Sequence, residues 1–379
     1  MNVLHLMRRF SKLSETFIYD SVCAQRARGL EPTVLCDERL NAESRPFEPV
    51  LTYSHSPGWW VRRVSEFTLR SVAHETDRLP LVRARQSQLA RHIRRLEPAV
   101  VHAHFGWMGV LARPVVRRFG VPLIVSFYGN DASNYLRQPR WLRAYHRVWR
   151  DAAAVVVLSE QMRDRLTRAH CPPEKLHVIH LGRVVSAIAF RAPGPSVRTL
   201  VTVGRLVEKK GHADLIDALG LCESKLTLHI IGDGPLREAL EQRAKDRGVD
   251  VRFLGALENT EVLRRMREAD AFALTSRVAC NGDEEGTPTV LIEAQALGLP
   301  CVATRHAGIP EMLPAENHGL LASERDPAAI AHALDRLAAM PVSTRQEYAA
   351  RGRAKVEAEF DSQRLAERLK TLYEQVSRS

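Results

Sequence analysis

The chain has 379 residues, roughly twice the usual single-domain length of about 100 to 200 residues, so two packed cores are expected. Hydrophobic residues make up 45% and charged residues 26%, which excludes a disordered chain, and no apolar run approaches the roughly 20 residues of a membrane-spanning helix. The formal charge of +11 asks for a partner with negative charge: a phosphorylated substrate, an anionic membrane surface or nucleic acid.

The opening "MNVLHLMRRFSKLSETF" has an apolar stretch too short for a signal peptide, followed by basic residues instead of a cleavage site, so a cytoplasmic chain is expected. In the first half, "NVLHLM", "PTVLCD", "AVVHAHF", "PLIVSFYG", "AAVVVLS" and "LHVIHLG" read as strands, most of them followed by a helical stretch. The segment "RAPGPSV" at 191–197 suits a linker, after which the pattern restarts with "TLVTVGRL", "LTLHIIGDG", "VRFLGAL", "AFALTS", "PCVAT" and "GLLAS". This alternation predicts an α/β protein of two parallel-sheet domains, 1–190 and 198–360. A final amphipathic helix within 361–379 is expected to pack back on the first domain. Ligands of open α/β sheets bind beyond the carboxyl ends of the strands.

The cysteines at 23, 36, 171, 222, 280 and 301 have no ligand-like spacing, so neither zinc nor a disulfide framework is expected. "VGRLVEKKGHADLIDAL" places Arg205 and Lys210 after a strand and before a helix, where two cations suit a diphosphate. A solvated turn is the alternative. No Walker loop is present, and "IIGDGPLREAL" has Arg237 where the dinucleotide fingerprint needs its third glycine.

In "NGDEEGTPTVLIEAQALGLPCVATRHAGIPE", Glu285 and Glu293 lie eight positions apart across the start of an apolar helix. A carboxylate inside such a run needs a partner, because burying an uncompensated charge costs several kcal/mol or more. Helix-start amides here would face phosphate oxygens, Glu285 would accept from sugar hydroxyls and Glu293 from a ribose.

"GRLVEKKG" together with "EEGTPTVLIEAQALGLPCVATRHAGIPE" resembles the retaining glycosyltransferases of family four, whose GT-B fold has two facing Rossmann-like domains with a deep cleft between them. "LSETFI", "VHAHFG", "VVVLSEQMRDRL" and "IIGDGPL" extend the resemblance over nearly the whole chain. The resemblance implies that Arg205 and Lys210 hold the donor diphosphate and stabilise the leaving nucleotide, and that Glu285 contacts the donor sugar and Glu293 the ribose. Gly286, Thr287, Pro288 and Thr289 would wrap sugar and phosphate, with Gly204, Gly232 and Leu257 completing the donor site. The reaction implied is sugar transfer from a nucleotide-diphosphate sugar, UDP before GDP, with retention by a front-face mechanism. It uses no protein nucleophile, cofactor or metal.

The chain departs from the family in places. In "SFYGND", Tyr128 replaces the usual His while Gly129 and Asp131 remain, and Tyr still donates a hydrogen bond. The usual glycine pair after the first strand is missing, and "RRFSKLSETF" resembles enzymes that build surface polysaccharides. Lys12 and Ser14 there either reach the site or form a surface loop. The usual Gly-Val-Asp reads Gly182-Arg183-Val184. His102 and His104 end a strand, where a hydrogen-bonded core position competes with a ligand role; of the two, His104 suits the acceptor side better.

The strip from Val61 to Leu96 contains nine Arg against three acids, with Trp60, Val64 and Phe67 and then Leu89, Ile93 and Leu96 at helical spacing. Such basic helices beside Trp59 and Trp60 can lie on an anionic membrane. The alternative is that their apolar faces cover the first core. No nucleic-acid module accompanies the charge. The acceptor side is assigned to Tyr128, Asp131, His104 and Ser14, and the acceptor to a saccharide, a lipid-linked saccharide or a small glycoside. A nucleotide-sugar epimerase or hydrolase of the same fold, or a non-catalytic sugar-nucleotide binder, are the competing readings.

Overall fold

The central strands are short apolar runs buried along their whole length, namely Val100–His104, Leu123–Ser126, Ala154–Val157, Ala271–Leu274 and Cys301–Thr304, as parallel strands covered on both faces must be. The computed structural model describes residues 1–12, 16–53 and 80–378. The chain divides into two units, residues 1–182 with 362–379, and residues 183–361.

In the first unit the strands are β1 (Asn2–Phe10), β2 (Glu31–Arg39), β3 (Val50–Thr52), β4 (Val100–His104), β5 (Leu123–Ser126), β6 (Ala154–Val157) and β7 (Leu176–Val178). They form one parallel sheet of seven strands in the order β3-β2-β1-β4-β5-β6-β7. Its helices are α1 (Thr16–Ala27), α2 (Pro80–Leu96), α3 (Gly106–Phe119), α4 (Pro139–Asp151) and α5 (Glu160–Arg168). Strand β3 was not foreseen, because its half-exposed Val-Leu-Thr lacks the longer stretch of apolar residues that surrounds the equally short β7 in "LHVIHLG".

The second unit has β8 (Thr199–Val203), β9 (Thr227–Ile231), β10 (Val251–Gly255), β11 (Ala271–Leu274), β12 (Cys301–Thr304) and β13 (Leu321–Ala322). Their order, β10-β9-β8-β11-β12-β13, reverses direction between β8 and β11. Its helices are α6 (His212–Leu221), α7 (Arg237–Arg247), α8 (Asn259–Glu268), α9 (Thr289–Leu297), α10 (Ile309–Met312), α11 (Pro327–Ala339) and α12 (Val342–Glu359). The last helix, α13 (Ser362–Arg378), belongs to the first unit. Its Leu365, Leu369, Leu372 and Tyr373 join a core with Val3, Val100, Ile124 and Val156.

The division falls at 182/183, earlier than the linker expected at 191–197. Val185 and Ile188 enter the second core, and the carbonyls of Pro193 and Gly194 accept from Gln346 and Arg345 of α12. Pro and Gly here mark a segment packed on its own unit, so the second unit begins at Arg183 and not at 198.

On α2, Leu89 and Ile93 are buried in the first core and Leu96 packs against it, while Arg83, Arg91, Arg94 and Arg95 are exposed. This part of the basic strip thus follows the core-covering alternative. Trp59, Trp60, Val64 and Phe67 lie outside the described residues, as does Ser14. Among the described residues, no helix is long and apolar enough to cross a membrane.

Candidate active site

The second unit gathers the motif residues at the strand ends. Gly204 N–H donates to Ile231 O at 2.9 Å and Gly232 N–H to Gly255 O at 2.8 Å, so the carboxyl ends of β8, β9 and β10 lie side by side. A Cβ at Gly232, where φ is +139°, would stand 1.9 Å from Gly204 O. One at Gly211, where φ is +64°, would stand 1.8 Å from Thr275 O. Only glycine permits either approach. The second draws the turn after β8 against the end of β11, and Thr275 Oγ1 donates to Gly211 O at 2.9 Å. These are the strands between which the order reverses, the usual place for a ligand in an open α/β sheet.

Lys210, on that turn, forms an ion pair with Glu285 from the loop after β11. Their side chains are 13% and 10% exposed. Lys209 joins them, its Nζ 3.2 Å from the Asp283 carboxylate, 3.1 Å from Glu284 O and 3.9 Å from Glu285 Oε1. Burial pushes the Glu285 carboxyl up, but Lys210 and then Lys209 more than offset it and hold it at about 2. The amide of Glu285 donates to His306 Nε2 at 3.0 Å, and His306 Nδ1 lies 2.7 Å from Glu324 Oε1. His306 therefore accepts at Nε2 and donates at Nδ1, and so fixes the loop through a completely buried ring. Arg205 is exposed and makes no side-chain hydrogen bond or ion pair among the described residues.

Gly286, Thr287 and Pro288 lead into α9 at Thr289, and Pro288 supplies no side-chain cap to that helix. Helix-start amides next to two lysines and an exposed arginine make a site for anionic oxygens. Leu257, expected in the donor site, is half-buried and packs against the second core.

Glu293, in the second turn of α9, is 2% exposed. Its partner is Arg183, with Nη2 2.8 Å from Glu293 Oε1. Asn259, the first residue of α8, joins both: its Oδ1 accepts from Arg183 Nη2 at 3.0 Å and its Nδ2 donates to Glu293 Oε1 at 3.3 Å. Sequence reasoning missed Arg183, Asn259, Lys209, His306 and Glu324. The doublet in "EKKG" and the His in "ATRHAG" were visible signals for two of them; the other partners lie far off in the chain.

The first unit has a pocket lined by Phe17, Ser21, His104, Ser126, Tyr128 and Leu369 among others. Tyr128 and His104 meet there, hydrogen-bonded through the Tyr hydroxyl and His104 Nδ1. Asp131 does not line the pocket. It is completely buried, with Oδ2 accepting from Gly106 N at 2.9 Å and Oδ1 from the amides of Tyr128 and Gly129 at 3.0 Å each. Its place on the sugar side is corrected accordingly: the carboxylate is spent on shaping the loop that carries Tyr128. Burial nevertheless leaves the Asp131 carboxyl above its ordinary value.

Among the described residues, His5, His102 and His104 are the one group whose ligand atoms are close enough to suggest a metal, all within 4.8 Å. Each ring nitrogen already has a partner. His5 Nε2 meets Gln25 Oε1 at 3.1 Å and His5 Nδ1 meets His104 Nε2 at 3.0 Å. His102 lies 2.7 Å from both Tyr373 Oη and Ser126 Oγ. Gln25 Oε1 accepts, so neutral His5 carries its proton on Nε2 and takes one from His104 Nε2, which leaves His104 Nδ1 to accept from Tyr128. The lone pairs a metal needs are thus occupied by hydrogen bonds. Both strand-end histidines are hydrogen-bonded core residues, and both border the pocket.

Two parallel sheets in these strand orders, with polar residues gathered at the strand carboxyl ends, define the Rossmann-like α/β class. Residues 14–182 match the family model described as glycosyl transferase 4-like domain, and residues 191–355 that described as glycosyl transferases group 1. The putative colanic acid biosynthesis glycosyltransferase WcaL of Salmonella typhimurium is 31% identical over 287 residues, 72% of this chain and 70% of that one. A GDP-mannose-dependent phosphatidylinositol monomannoside mannosyltransferase of Mycolicibacterium smegmatis is 32% identical over 259 residues, 62% of this chain and 67% of that one. The crystal structure of Anabaena HepE with UDP and glucose superposes with a TM-score of 0.76 at 18% identity, covering 99% of this chain and all of that one. The chain belongs to the family 4 glycosyltransferases and has the GT-B fold.

Proposed function

We propose that the chain transfers a sugar from a nucleoside-diphosphate donor, UDP before GDP, to a growing saccharide or lipid-linked saccharide in polysaccharide assembly. The single observation carrying this is the Lys210–Glu285 pair with Lys209 beside it, set where the turn after β8 meets the end of β11. UDP is favoured because it is the nucleotide bound to HepE, a neighbour in fold. The mannosyltransferase relative keeps GDP as the alternative. The colanic acid relative supports the polysaccharide setting.

Breaking the anomeric bond places negative charge on the departing diphosphate and positive charge on the sugar ring. Arg205, Lys210 and the helix-start amides of α9 would receive the first, each worth roughly 2 to 4 kcal/mol of transition-state stabilisation. Glu285, held ionised, would accept from sugar hydroxyls and face the second. In front-face transfer the acceptor oxygen bonds to the anomeric carbon on the side the phosphate leaves. The acceptor's proton passes to the departing phosphate oxygen. Neither a protein nucleophile nor a metal is needed: the cations are side chains, and Asp283 and Glu285 are taken up by Lys209 and Lys210.

On this reading the first unit bears the acceptor, with Tyr128 and His104 at its pocket. The exposed Arg83, Arg91, Arg94 and Arg95 of α2 would approach an anionic membrane carrying a lipid-linked acceptor. The test is a thermal-shift and calorimetric screen against UDP, GDP, ADP, their sugars and NAD, with and without EDTA. A nucleoside diphosphate bound only by the folded chain raises the midpoint by mass action. Stabilisation by UDP or UDP-sugars in EDTA supports the reading. Stabilisation by NAD alone, or by nothing, overturns it. Donor breakdown at full rate without acceptor would favour a hydrolase or epimerase.

A further inference from the structure

Residues 182–184 read Gly-Arg-Val where the family usually has Gly-Val-Asp, and the structure gives the arginine a partner that a valine side chain cannot serve. Its backbone is held in place, with Arg183 N–H donating to Phe360 O at 3.0 Å and Val185 N–H to Asp361 Oδ2 at 3.2 Å. From there the guanidinium reaches Glu293 Oε1 at 2.8 Å and Asn259 Oδ1 at 3.0 Å, and Asn259 Nδ2 reaches the same carboxylate oxygen at 3.3 Å. The side chains of Arg183 and Glu293 are 10% and 3% exposed.

A carboxylate this deep, on a helix whose residues 291–297 are all buried, needs a compensating charge to remain an anion. As an anion it accepts at both oxygens, which suits two ribose hydroxyls that each offer a proton. A planar guanidinium supplies both the charge and a fixed direction, which an ammonium does not. We propose that Arg183, with Asn259, is a positioning residue that sets Glu293 for the donor's ribose and makes this site distinguish a ribonucleotide from its 2′-deoxy form. The inference rests on Glu293 being the ribose contact.

The test is calorimetric titration of the full chain and of Arg183→Ala, Arg183→Lys and Asn259→Ala with UDP, GDP, 2′-deoxyUDP and 2′-deoxyGDP, with unfolding of each variant followed alongside. The wild type should bind its ribonucleotide about tenfold more tightly than the 2′-deoxy form, the worth of one good charge-assisted contact. Arg183→Ala should bring the ribonucleotide down to the level of the 2′-deoxy form while leaving the latter's affinity unchanged. Arg183→Lys and Asn259→Ala should fall between. A destabilised Arg183→Ala that keeps the full preference would reduce Arg183 to packing and overturn the inference. If that variant does not fold, an unchanged preference in both Arg183→Lys and Asn259→Ala has the same force. A wild type that binds UDP or GDP without regard to the 2′ hydroxyl removes the ribose reading of Glu293 and the inference with it. Failure to bind any of the four removes the donor site itself.

Discussion

Lys210 and Glu285 stand 75 residues apart in sequence and form an ion pair in which neither side chain is more than 13% exposed. The pair joins the turn after β8 to the loop after β11, and Lys209 ties the same loop through Asp283. Lys209 and Lys210 balance Asp283 and Glu285, so the positive charge left over at this end of the sheet is that of exposed Arg205. With the open helix-start amides of α9, that charge suits an anionic ligand such as a diphosphate.

Replacing Lys210 or Arg205 by Ala should lower kcat by about 10² to 10³, the loss typical of a removed transition-state donor. Binding of the intact donor should weaken less than turnover. The check is nucleotide release under saturating donor, with circular dichroism to show that each variant folds. Wild-type rates in both variants would remove the diphosphate assignment.

Glu285 makes a pH prediction whose sign is set by its depressed pKa. The carboxyl titrates at about 2 in the folded chain against an ordinary 4.5, so the stability it contributes is complete above about 4.5 and is lost as pH falls toward 2. Its size is on the order of 3 kcal/mol. Chemical denaturation of wild type and Glu285→Gln at pH 7, 4 and 3 should show a stability gap that narrows steadily with acid. A gap independent of pH would mean that Lys210 and Lys209 do not hold the carboxylate as described.

Much of the fold was legible because strand and helix periods are local. Twelve of the described strands were readable as apolar runs; β3, half-exposed and without an apolar run around it, was not. The site was legible in part for the same reason. Lys210 and Glu285 lie in short motifs, but Arg183 meets Glu293 across 110 positions, and no local pattern announces a pair formed by topology. The linker was misplaced because Pro and Gly in "RAPGPSV" indicate irregular backbone without saying whether it packs. Asp131 was misread because a carboxylate facing three amides looks, in sequence, like one facing a ligand.

Gly211 and Gly232 hold the turn after β8 in place, and an alanine at either meets a backbone carbonyl under 2 Å away. Backbone cannot move aside as a flexible side chain can, and both residues have positive φ. Gly211→Ala and Gly232→Ala should each cost about 2 to 4 kcal/mol of stability or displace the turn. Gly211→Ala should also weaken nucleotide binding, because the turn carries Lys210. Gly248→Ala, with φ +64° but open space around it, should cost only the backbone strain of about 1 to 2 kcal/mol. Equal losses at all three sites would show that the carbonyl contacts do not matter.

The buried histidines of the first unit predict a second pH effect, at milder acidity. Burial lowers His5 to about 4, and His102 and His104 lie well below the ordinary 6.5, for the same reason and through one another. The unfolded chain therefore takes up protons as pH falls through 6.5 that the folded chain refuses. Stability is complete above that point and declines below it, by up to about 1.4 kcal/mol per pH unit for each neutral histidine. Unfolding free energies measured between pH 7 and 4 should fall steeply in the wild type. His102→Gln, which cannot titrate, should be less stable at pH 7 but should decline with a slope smaller by about one proton. An unchanged slope would mean that His102 is charged in the folded chain, donating to both Tyr373 Oη and Ser126 Oγ.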